Sequence, residues 1–209
     1  GGLIAPMVIS RNPEVGFFIS LAGPALIGSE ILLLQSKALG IANGGTTEII
    51  QKELDQNKAV FEILSSENNN VKAKEQMKAT ILASLKNDDK SQEEIEKEVK
   101  AFDQGFPLVV INWMRYYVKT DPADFLYKIK CPVLVLNGDK DLQVVSKENL
   151  KAYEVIFKNT GLNDFKLVAL KNHNHLFQNC NTGLPSEYSK IEESFSPEAL
   201  EMMALWIEE

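Results

Sequence analysis

With 209 residues, an apolar share of 44% and a charged share of 24%, the chain has the size and composition of one globular domain, or of one domain carrying an insertion. A formal net charge of −7, with no basic cluster to offset it, excludes the electrostatic footprint of a nucleic-acid-binding protein. No run of 18 apolar residues is present to cross a membrane. Cys131 and Cys180 are too few for a disulfide framework or a structural zinc site; they read as buried or free thiols, with a single bridge as the alternative.

In chain order, Gly1 to Ser10 reads as a short apolar helix stopped by Asn12-Pro13. Gly16 to Ala22 is an apolar strand closed by Gly23-Pro24, with no carboxylate at its end. The sequence then reads as helical from residue 28 to about residue 120. Asn43-Gly44-Gly45 supplies a helix stop, and Thr46 or Thr47 caps a longer helix with an apolar stripe through Ile49, Ile50, Leu54, Val60, Phe61 and Ile63. A further helix carries Met77, Ile81, Leu82 and Leu85, and Ser91-Gln92-Glu93-Glu94 fits a capping box for the next. The charged tract Lys86 to Lys100 keeps periodic apolar residues, which predicts a solvated helix face rather than an interaction tail. About a hundred residues of helix between two strands far exceed what a crossover needs, and insertions of that size form a cap over a site.

From Lys130 onward the pattern changes. Cys131-Pro132-Val133-Leu134-Val135-Leu136 is a continuous apolar run, the signature of a strand buried on both faces of a parallel sheet, and it stops at Asn137-Gly138. Asp139-Lys140-Asp141 follows directly. Ser146 opens a helix ending near Gly161, and Phe165 to Leu170 is another strand, followed by Asn172-His173-Asn174-His175. A carboxylate after one strand and a histidine after the next leave the sheet at the same edge, where ligands bind, so an Asp–His pair is permitted. Ser196-Pro197-Glu198 starts a final helix expected to bury Leu200, Met203 and Leu205-Trp206. The predicted class is α/β, with parallel strands near 16–22, 132–137 and 165–170 and flanking helices. Residues 1–24 and 121–209 form its core, and 25–120 form a helical cap.

Three segments carry a resemblance. Leu136-Asn137-Gly138-Asp139-Lys140-Asp141-Leu142 resembles the acid-bearing segment of α/β-hydrolases, and Asn174-His175-Leu176-Phe177-Gln178 resembles the histidine segment of bacterial esterase- and peptidase-like members. Gly1-Gly2-Leu3-Ile4-Ala5-Pro6-Met7 is similar to the residues immediately after the nucleophile in their G-x-S-x-G-G elbow. The resemblance implies a partial α/β-hydrolase fold and a serine hydrolase acting on carboxylic esters by acyl transfer. His175 would be the general base and Asp141 its orienting acid. A peptidase or acyl-peptide hydrolase of the same fold, acting on a short peptide instead of a small ester, is the alternative; a non-catalytic binding or scaffold module is another. No G-x-S-x-G occurs in these residues, so the chain is expected to begin just after its nucleophile and to be inactive alone.

Alternatives at the site stay open on sequence. Asp141 could be a turn carboxylate, with Asp139 as the acid; His175 could be a satisfied core histidine, with His173 as the base. A His173–His175–Asp141 metal set lacks a further clustered ligand, and neither metal nor cofactor is expected. Glu187 and Tyr188 read as rim residues. Loss of the strand that would precede this chain would bare Phe17-Phe18-Ile19 as an apolar edge, which predicts a homodimer through that edge.

Overall fold

The computed structural model describes residues 1–87 and 90–209. Asp88 and Asp89, within the charged tract, lie outside the described residues. The fold is mixed α/β, with ten helices and one open, all-parallel, three-stranded sheet among the described residues. It divides into two compact units, Gly1–Gly44 with Asp121–Glu209, and Gly45–Thr120.

In the first unit, β1 (Phe18–Leu21), β2 (Val133–Gly138) and β3 (Phe165–Leu170) lie in that order. Phe18 faces Val133 and Leu21 faces Leu136, while Val133 to Gly138 face Phe165 to Leu170. All six residues of β2 are buried, as its uninterrupted apolar run requires of a central strand covered on both faces. Parallel neighbours need a crossover, and α8 (Ser146–Thr160) supplies the one between β2 and β3, ending on Gly161 in the left-handed conformation. One face of the sheet presents Phe18, Val133 and Val135 to Tyr153, Ile156 and Phe157 of α8, with Ala5 and Ile9 of α1 (Ile4–Ile9) packed alongside. Leu126 of α7 (Ala123–Leu126) completes this layer. The other face presents Leu134, Leu136 and Leu170 to Phe177, Ala199 and the partly buried Met202, Met203 and Trp206.

The last three belong to α10 (Pro197–Glu208), which starts on the Ser196 side-chain cap. Its buried stripe runs through positions 199, 202, 203 and 206, and Leu200 and Leu205 lie off it, each more than half exposed. This differs from the expected face. The segment Met202 to Ile207 is apolar in nearly every phase, so the sheet, not the periodicity, selects the inward side. Likewise α2 (Gly28–Ala42), assigned on sequence to the helical insertion, clusters with the sheet unit. A short helix, α9 (Pro185–Tyr188), follows the histidine loop.

β1 is an edge strand. The Phe18 amide donates to the Pro132 carbonyl just before β2 and the Ala22 amide to the Leu136 carbonyl within it, so alternation turns the backbone polar groups of Ile19 and Leu21 to the open side. Leu21 is 40% exposed, and Phe17 is 47% exposed with its ring edge-on to Trp206.

The second unit is all helix: α3 (Thr47–Ser66), α4 (Asn70–Asn87), α5 (Gln92–Gly105) and α6 (Leu108–Lys119). Thr46 caps α3, and Ser91 with Glu94 forms the full reciprocal capping box on α5. Leu64, Ala73, Met77, Ile111 and Val118 are its fully enclosed apolar side chains. Arg115 sits among them and donates from Nε and Nη2 to the Glu67 carbonyl and from Nη1 to Asn70 Oδ1. One guanidinium thereby closes the end of α3 and the start of α4 onto α6.

Candidate active site

The C-terminal ends of β2 and β3 carry the candidate residues. β2 ends on Gly138, where an added Cβ would lie 2.1 Å from the His173 carbonyl oxygen. Only a residue without a side chain lets the two loops touch, and they do so through Lys140 N–H to His173 O (3.0 Å) and Asp139 N–H to Leu170 O (2.9 Å). Asp139 is committed to this junction, since its Oδ1 accepts the Asn172 amide at 2.7 Å.

Asp141 points the other way, into the protein, and is 2% exposed. Its Oδ1 accepts the amides of Gln143 (2.8 Å) and Val144 (2.9 Å). Its Oδ2 accepts Asn137 Nδ2 (3.1 Å) and faces His175 Nδ1 at 2.9 Å. Three N–H donors already converge on this carboxyl group, which accepts at both of its oxygens. The proton on that contact therefore belongs to Nδ1, which leaves the lone pair of His175 on Nε2. The side chain of His175 is 27% exposed while that of Asp141 is fully covered, so the pair presents a partly exposed ring backed by a buried carboxyl group.

His173 occupies a different environment. It is fully buried, its Nδ1 donates to the Lys171 carbonyl at 2.7 Å, and its Nε2 has no partner. Asn172, at φ 60°, turns the backbone between β3 and the histidines. Two other non-glycine residues with left-handed torsions stand at the same rim: Ala22 after β1 (φ 48°) and Phe177 beyond His175 (φ 58°). Each costs about 1–2 kcal/mol of backbone strain, which the surrounding packing must offset.

The loop after His175 is clamped from two sides. Lys140 Nζ donates to the carbonyls of Cys180 (3.1 Å) and Asn181 (2.9 Å). Glu187 accepts the amides of Asn181, Thr182 and Gly183 and the Thr182 hydroxyl. The Thr182 hydroxyl and then the amides hold the Glu187 carboxyl well below its ordinary 4.5, at about 2. A carboxyl lowered in the folded state stabilises fully above its unfolded value, and that contribution disappears as pH falls through the folded one. Glu187→Gln is therefore expected to lower the urea midpoint at pH 7, with the gap to the parent closing between pH 4.5 and about 2; a gap that persists at the acid end would contradict the clamp.

Tyr188 accepts from Gln143 Nε2 at 3.2 Å, and burial pushes its hydroxyl above the ordinary range. Cys131 and Cys180 are free, and burial raises both thiols. Among the described residues, no group of three or more His, Cys, Asp and Glu side chains is arranged to hold a metal ion, and no helix is long and apolar enough to cross a membrane.

Sequence reasoning missed two fully buried amides beside the pair. Asn137 Oδ1 accepts Asn149 Nδ2 at 2.8 Å, and Asn149 reaches the backbone after β1, donating to Gly23 O (2.9 Å) and accepting from Ala25 N (2.8 Å). The available signal was an asparagine ending an otherwise apolar buried run, which must find partners inside. Compared with known proteins, the chain matches no family model and no curated protein.

Proposed function

We propose that this chain is the acid- and base-bearing part of a serine hydrolase of the α/β-hydrolase type, cleaving carboxylic esters by acyl transfer. The observation that supports it is the 2.9 Å contact between the buried Asp141 carboxylate and the partly exposed His175 ring, at the C-terminal edge of a parallel sheet. Nε2 of His175 takes the proton of a serine hydroxyl as that oxygen attacks the ester carbonyl. Asp141 fixes the ring tautomer and stabilises the imidazolium without accepting the proton. The imidazolium then protonates the departing alkoxide, and a water deprotonated by the same nitrogen releases the acid from the acyl-serine. No G-x-S-x-G elbow occurs among these 209 residues, so this reading calls for a serine that they do not supply.

The experiment compares the 209-residue chain with a protein extended upstream of Gly1. The extended protein should be labelled by a fluorophosphonate and should hydrolyse small aryl esters, with turnover falling on the order of 10⁴-fold or more in His175→Ala. The short chain should do neither. Ester hydrolysis by the short chain, or absence of labelling in the extended one, would overturn the reading.

The open edge of β1 supports a homodimer. Two copies related by a two-fold axis would pair β1 with β1 antiparallel, covering the outward backbone groups of Ile19 and Leu21. Light scattering at micromolar concentration should give a dimer mass, and Leu21→Lys, which sets a charge on that edge, should give a monomer. A parent protein that runs as a monomer ends the idea.

A further inference from the structure

Asn137 and Asn149 are both fully buried, and every side-chain polar group on them is used. Asn137 donates to Asp141 Oδ2 and to the Val144 carbonyl (3.0 Å), and accepts from Asn149. Asn149 donates to Asn137 and Gly23 O, and accepts from Ala25. This saturation fixes the sense of both amides. Asn137 Oδ1 already accepts, so its NH₂ group is the end turned to the carboxylate.

We propose that these two asparagines are positioning residues, a buried amide relay that aims the Asp141 carboxylate at His175 and sets both in register with the turn after β1. The proposal rests on the hydrolase reading for its purpose, but its geometry stands without it. Oδ1 of Asp141 is pinned by two amides of its own loop, and Asn137 adds a side-chain donor to Oδ2, the oxygen that faces His175. Carboxylate rotation would break three bonds at once. The far end of the relay grips Gly23 and Ala25, and Gly23 is the residue on which the start of the chain rests: a Cβ on Gly2 would lie 2.5 Å from its Cα. The loops after β1, β2 and β3 are thus joined by one run of hydrogen bonds. Two apolar side chains would fill this volume at lower polar cost; a satisfied amide pair instead selects one geometry.

The test reads the ring and not hydrolysis, so it can fail or succeed apart from the hydrolase reading. In proton and nitrogen NMR of the 209-residue chain, the exchange-protected Nδ1 proton of His175 and its single tautomer report the Asp141 contact. Asn137→Leu and Asn149→Ala should keep a cooperative unfolding transition, lose the protected proton and show mixed tautomers. In an extended, active protein the same variants should lower kcat 10- to 100-fold at nearly constant KM. A folded variant of either kind that retains the protected proton overturns the relay, and failure of both to fold overturns it in favour of a purely structural role. A protein in which no serine is ever labelled but the proton vanishes in both variants keeps the relay and loses the hydrolase.

Discussion

Gly138→Ala is expected to be among the most damaging single-methyl changes in the described residues, costing more than about 4 kcal/mol or abolishing folding of the sheet unit. The added carbon would lie 2.1 Å from the His173 carbonyl oxygen and 2.6 Å from its carbon, so the obstacle is backbone, not a side chain that can swing aside. Ordinary overpacking costs about 1–3 kcal/mol because neighbours shift. Here a shift would have to part β2 from the loop after β3, breaking the Lys140–His173 bond and separating Asp141 from His175. Gly16→Ala is the control, since nothing lies within 4 Å of its added carbon. Urea unfolding of the two variants should separate them completely, and near-parental stability in Gly138→Ala would show that the loops are not in contact.

Asp141→Ala should follow closely, losing about 3–5 kcal/mol. Four donors converge on this carboxylate, two of them amides of its own loop and one the amide of the buried Asn137. Truncation strands the Val144 amide and one N–H of Asn137 away from water. Asp141→Asn separates structure from chemistry: it keeps the shape and an accepting oxygen but directs an NH₂ group at one set of donors. It should cost less stability than alanine, while in an active, extended protein turnover falls on the order of 10⁴-fold because His175 no longer holds its Nδ1 tautomer. Denaturation curves measured beside ester-hydrolysis rates would check both halves. Equal losses of stability in the two variants would contradict the bonding scheme.

The strands were legible because burial on both faces leaves a plain imprint: Val133 to Leu136 could not face water on either side, and the structure buries all of β2. Chain order was enough to put Asp141 and His175 on one edge. It was not enough to choose between His173 and His175, because what separates them is tertiary contact: His173 turns to the Lys171 carbonyl and His175 to Asp141, after a left-handed Asn172, a torsion that asparagine tolerates but does not announce. The inward face of α10 was misread for the opposite reason, too many apolar residues instead of too few. Asn149 gave no sign at all: in a helix it reads as a mild misfit, and its partners Gly23 and Ala25 are more than a hundred residues away.

The three left-handed torsions at Ala22, Asn172 and Phe177 have a bearing on the whole first unit. Asparagine tolerates such a backbone, whereas Ala22 and Phe177 adopt it with their side chains packed in the apolar layer with Leu134, Leu136 and Leu170. The imidazole is therefore aimed from underneath, by oil and not by polar contacts alone. Substitutions deep in that layer, remote from any reacting atom, will change where the ring points before they change whether the chain folds.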